Sequence, residues 1–135
     1  MTEELQQHLH IELLDLFDEV KYKLSEINAA KELFINGPAH QILKRGTHMA
    51  YIQGQKQAID NIMTLLELKL EDDDFLPRYD TLQQSVTNTN YEQTYQFAQL
   101  QDIPRQFDRF LTKFYNIKGQ YFIITHINAI ISDHV

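Results

Sequence analysis

The sequence predicts an all-α fold, a helical bundle, and three observations carry that expectation. Near the C-terminus Phe107, Phe110, Phe114, Ile117, Tyr121, Ile124, Asn128 and Ile131 recur at spacings of three and four, which is a helix stripe that needs a facing helix to cover it. A second stripe runs through Leu5, Leu9, Leu13, Leu16, Val20, Leu24, Ile27, Ala30 and Phe34, positions that fall within roughly 120° of one another at 100° per residue. The third is Met49, Ile52, Lys56, Ile59, Met63, Leu66 and Leu70. With 135 residues, 43% of them hydrophobic, the chain has material for one core. Residues 1–135 are therefore expected to form a single helical domain.

The first helix is expected over about 3–35, with Glu3 and Glu4 against the positive end of its dipole and Asn36-Gly37-Pro38 as its stop. Ile11, Leu14, Tyr22 and Leu33 fall outside its stripe and are surplus apolar positions. In the next region Ile42 and Leu43 point away from the direction set by Ile59, Met63 and Leu66. A break resolves that conflict. Lys44-Arg45 reads as a basic last turn, Gly46 as a C′ glycine and Thr47 as a new N-cap, giving a short helix at 39–45 and a long one at 48–70. The helices at 3–35 and 48–70 then make a long antiparallel hairpin.

Between 71 and 103 the periodicity fails, and the segment is expected to be irregular and acidic. It holds Glu71-Asp72-Asp73-Asp74, Pro77 and a polar run from Gln83 to Asn90, so 71–89 reads as mostly loop. Residues 91–100 fit a short helix through Tyr91, Thr94, Tyr95 and Ala98, and also an edge strand through Tyr95, Phe97 and Gln99; the helix is preferred. A long C-terminal helix follows over about 104–132, capped by Asp102, with Pro104 in its first turn. Gly119 lies off the seam and marks a bend or a break near Asn116-Ile117-Lys118-Gly119. The stripes put Leu16 and Phe114 in the core.

Charge is segregated along the chain. Residues 1–35 carry eight acids against three bases and residues 71–103 seven against one, whereas 36–70 and 104–135 each carry four bases against two acids. The net charge of −7 argues against direct binding to nucleic acid, which requires a basic patch. A protein partner with a basic surface is expected instead. Glu4, His8, Glu12, Asp15, Glu19 and Glu26 share one ridge of the first helix, and Glu71, Asp72, Asp73 and Asp74 add a second acidic cluster. These carboxylates are the candidate partner-binding residues. Gly46, Ala50, Gly54 and Ala58, four apart, form a ridge of small residues that lets another backbone approach. Packing inside the bundle and self-association, as in a homodimer, both use such a ridge.

The chain has no cysteine, which fits a reducing cytoplasm. The opening MTEELQQHLH is acidic and lacks the basic and apolar regions of a secretory signal. The longest uncharged apolar stretch, Gly119 to Ser132, is 14 residues, too short for a membrane span. Cytoplasmic location is expected.

Catalytic motifs do not emerge. The four glycines are isolated from one another, so no phosphate-binding loop can be built, and no serine lies in a nucleophile elbow. His8, Glu12 and Asp15 share a helix face and could hold a divalent ion, but the chain has no Glu-x-x-His pair of the kind found in bundle metal sites. No cofactor or metal is expected. Glu12-x-x-Asp15 and Glu71-x-x-Asp74 leave one enzymatic alternative, a metal-dependent all-α hydrolase of the NTP-pyrophosphohydrolase type. It lacks the doubled acidic signature that chemistry uses. The sequence therefore points to a non-enzymatic interaction or regulatory protein, in its specific form an acidic inhibitor that occupies a basic, nucleic-acid-binding surface of a target, as inhibitors encoded by mobile elements do.

Overall fold

The computed structural model describes residues 2–29 and 38–134. Among them are four helices and no strand: α1 (Thr2–Ala29), α2 (Ala39–Glu67), α3 (Asp72–Ala98) and α4 (Phe107–His134). The all-α bundle is thus observed, with one long helix more than the three the stripes suggested. On α1 the expected stripe faces inward: Leu5, Leu9, Leu13, Val20 and Ile27 are buried, and Leu16 and Leu24 are half-buried against them. Ala30, Leu33, Phe34 and the expected stop at 36–37 lie outside the described residues.

The break expected at Gly46-Thr47 is absent. No glycine among the described residues takes positive φ, so Gly46 does not end a helix, and the Thr47 hydroxyl donates back to the Lys44 carbonyl at 3.0 Å instead of capping a new one. One continuous α2 results, and the conflict of direction is met by leaving Leu43 exposed. The helix ends where Lys69 adopts φ 53°, the left-handed conformation more usual for glycine. The Gln6 amide donates to the Leu70 carbonyl at 2.8 Å and to Asp72 Oδ1 at 3.2 Å, tying the α2–α3 turn to α1.

The segment expected as an irregular acidic loop is α3. Asp72, Asp73 and Asp74 occupy its first turn, where carboxylates meet the positive end of the helix dipole. Pro77 lies inside the helix, at the sixth position, and withholds one donor from the ladder. Asp72, Phe75, Tyr79, Val86 and Gln93 are its buried residues. The last helix begins at Phe107, three residues later than expected, which leaves Asp102 and Pro104 in the connection before it.

Contacts between elements fix their directions. Gln6 meets Leu70 and Ile27 meets Arg45, so α1 and α2 run antiparallel. His8 meets His134 and Glu12 meets His126, so α4 opposes α1 and runs with α2. Tyr79 meets Asn128 and Phe97 meets Phe110, so α3 opposes α4. The most extensive contact is α2 with α4, flanked by α1 on α2 and α3 on α4. Two glycines permit it. A Cβ on Gly54 would lie 1.9 Å from the Asn116 carbonyl oxygen, and one on Gly119 would lie 1.9 Å from that of Tyr51, so each helix backbone fills the space the other leaves. Gly119 therefore marks a close approach within a continuous helix, not a break.

The C-terminal seam serves another neighbour. Phe110 and Phe114 pack on Phe97, and Asn128 accepts a hydrogen bond from the Tyr79 hydroxyl at 2.7 Å. That stripe faces α3, while Gly119 faces α2. Burial pushes the Tyr79 phenol well above its usual range. Tyr79→Phe should cost about 1–3 kcal/mol, because it strands the Asn128 oxygen. A raised folded-state value means the neutral phenol is favoured, so stability should fall as pH rises past about 10, the ordinary tyrosine value. Urea melts of both proteins across that range check this, and an equally steep alkaline loss in the variant would contradict it.

Packing is uneven along the bundle. Where α1 and α3 begin and α2 and α4 end, Leu5, Leu9, Ile62, Phe75, Ile124 and Ile127 are fully buried. Toward the opposite end the buried groups include Arg45, Gln55 and Gln93. There the Arg45 guanidinium donates to the Ile27 carbonyl.

Candidate interaction surface

The outer face of α1 is built by the register that buries its leucines. Glu4, His8, Ile11, Asp15, Asp18 and Tyr22 recur at spacings of four and three, opposite the core stripe, and all six are exposed. Glu4, Asp15 and Asp18 make no ion pair among the described residues. Glu19 meets Lys23 at 3.6 Å across two exposed side chains, a pairing worth about 0–1 kcal/mol. Inside this acidic stripe Ile11 is 60% and Tyr22 65% exposed. A hydrogen bond to the Glu26 carboxylate, together with its charge, pushes the Tyr22 phenol up.

The structure divides the expected partner-binding carboxylates. Glu4, Asp15, Glu19 and Glu26 remain exposed on the α1 face. Glu12 turns to the neighbouring helix, where it meets His126 Nε2 at 2.8 Å and is half-buried. In the second cluster Glu71, Asp73 and Asp74 are exposed, whereas Asp72 is only 6% exposed and accepts from Gln6. The Gln6 contact sets this cluster beside the start of α1, next to the Glu4 end of the α1 face.

The ridge of small residues is largely taken up within the chain. Ala50, Gly54 and Ala58 are buried, Gly54 against α4, and Gly46 alone is exposed. Of the expected surplus apolar positions, Ile11, Leu14 and Tyr22 are exposed; Leu33 lies outside the described residues.

Asp18 belongs to the outer stripe and went unread in the sequence, as did the His8–His134 and Glu12–His126 pairs. The stripe could have been found, because its four-three spacing parallels that of the core. The histidine pairs join residues more than a hundred positions apart, and no local pattern announces them. Among the described residues no group of three or more His, Asp or Glu is placed to hold a metal ion, and no helix is long and apolar enough to cross a membrane. A shallow groove between α2 and α4 is lined by Gln57, Arg109, Lys113 and Asn116. Comparison with known proteins finds no family model, no curated protein and no solved structure that matches the chain.

Proposed function

We propose that this protein is a non-enzymatic interaction protein that lays the outer face of α1 on a basic surface of a protein target, a surface of the kind that holds nucleic acid, and acts as an inhibitor by occupying it. The observation that carries this reading is the exposure of Ile11 and Tyr22 within a stripe of carboxylates. Exposed charge of one sign raises the rate of encounter with an opposite surface and sets its orientation. Large apolar side chains at the centre of a contact supply most of its free energy. The stripe offers both, and at 1.5 Å rise per residue its two anchors stand roughly 16 Å apart along the helix.

The test is capture of a partner by wild type and by two variants. Capture should weaken as salt rises from about 0.1 M to about 1 M, over which the screening length falls from about 10 Å to about 3 Å. Asp15→Lys, Asp18→Lys and Glu19→Lys together should abolish it while stability changes by no more than about 1 kcal/mol. Glu12 is left alone because it is bonded to His126. Ile11→Ala with Tyr22→Ala should weaken capture at every salt concentration. Capture indifferent to salt and to both variants would remove α1 from the interface.

A further inference from the structure

We propose that His8 and His134 form a binding site for a divalent transition-metal ion of the zinc class, which clips the first helix to the last. His8 Nδ1 and His134 Nε2 lie 3.0 Å apart, and the rings meet edge to face, 67° between their planes and 5.2 Å between centroids. Two nitrogens therefore converge on one point. Nitrogen facing nitrogen is a demanding contact for imidazole, since one ring has to supply a proton and the other a bare lone pair. A metal ion in place of that proton takes a lone pair from each. With zinc–nitrogen bonds of about 2.0–2.1 Å in tetrahedral geometry, the two ligand atoms stand about 3.3–3.4 Å apart. Opening the observed separation by a few tenths of an ångström takes small rotations of surface rings.

The scaffold supports this use. Below the histidine pair, Glu12 and His126 meet at 2.8 Å, which holds α1 and α4 in register. The same bond engages the Glu12 carboxylate, one turn from His8. No third His, Asp or Glu among the described residues joins the pair, so two protein ligands bind the ion and water completes its coordination. Imidazole suits zinc, copper and nickel and discriminates against magnesium and calcium, which take oxygen ligands. Contact between α1 and α4 is slight beside that between α2 and α4, so an ion bound across it should stabilise the closed bundle. His8 also belongs to the outer stripe of α1, so this site lies at the edge of the proposed partner face.

The experiment uses full-length protein without a histidine tag. Zinc chloride is titrated by calorimetry, melting is followed with zinc and with a chelator, and the histidine ring nitrogens are observed by NMR during the titration. One ion should bind per chain, the melting temperature should rise with zinc, and the His8 and His134 ring signals should shift while those of His40 and His48 stay in place. His8→Ala and His134→Ala should each lose the binding and the rise in melting temperature, and His126→Ala should retain one-ion binding. If an alanine variant fails to fold, the wild-type ring signals still decide the matter. Unmoved His8 and His134 signals, binding that survives loss of either ring, or one ion shared by two chains with a doubled mass would each overturn the proposal.

Discussion

Alanine at Gly119 or at Gly54 should cost the folded state about 3 kcal/mol or more, at or beyond the usual upper end for overpacking. In an open helix the same change stabilises by about 0.5–1 kcal/mol, because glycine loses more backbone freedom on folding. Sterics decide the sign here. The new Cβ at Gly119 would stand 1.9 Å from the Tyr51 carbonyl oxygen and 2.9 Å from the Gln55 nitrogen, and at Gly54 it would stand 1.9 Å from the Asn116 oxygen. These obstacles are backbone atoms held in their own helices, so no side chain can swing aside. The only relief is to part α2 from α4, the most extensive contact in the bundle. Gly46 supplies the internal control: nothing lies within 4 Å of its missing Cβ, so Gly46→Ala should raise stability by about 0.5–1 kcal/mol. Urea midpoints for the three variants test the pattern. A neutral or stabilising Gly119→Ala would mean that the two helices do not cross there.

The fold class was legible in the sequence because stripes of apolar residues at helical spacing survive in any tertiary context. The partners of those stripes were not legible. The α4 seam is regular because it faces α3, but α4 also buries Gly119, Ile123 and Ile127, and a helix covered on two faces shows no single period. Helix α3 carried its own signal, Phe75, Tyr79, Leu82 and Val86 at spacings of four, three and four. Pro77 and the run Ser85, Thr87, Asn88, Thr89 and Asn90 masked it, since each of these disfavours a helix judged on local propensity. Gly46 misled for a related reason. Glycine ends a helix by adopting positive φ, and whether it does so is settled by the packing around it.

Charge was legible as a total and as a layout, because counting acids needs no structure. Which acids stay free depends on what folding brings beside them. His126 claims Glu12 and Gln6 claims Asp72, while Asp18, on the same helix as Glu12, is left to solvent. The two exposed apolar residues of the stripe looked like surplus in the sequence. The opposite face of α1 is filled by its own core stripe, which leaves these two to solvent.

Phe75→Ala is the second change expected to be severe, at about 3–5 kcal/mol, the cost of removing a large buried aromatic. Phe75 is the largest fully buried side chain, at 0% exposed, and stacks on Tyr79 with centroids 6.2 Å apart. It sits four residues into α3, just before Pro77. A helix with an internal proline and a run of threonine and asparagine cannot rely on propensity, so its helical state rests on the face it buries. Losing Phe75 empties the first anchor of that face beside the Gln6–Asp72 link, and α3 should loosen from that end. Phe114 offers the contrast, because it packs on Phe97 but remains half-buried, which corrects the full core position its seam implied. Phe114→Ala, and Leu16→Ala on the same grounds, should cost only about 1–2 kcal/mol, in proportion to the smaller area removed from water. Chemical denaturation ranks the three variants, and amide exchange over residues 76–93 reports where Phe75→Ala acts. Equal losses for Phe75→Ala and Phe114→Ala, with no added exchange in α3, would show that this helix is not held by its buried face.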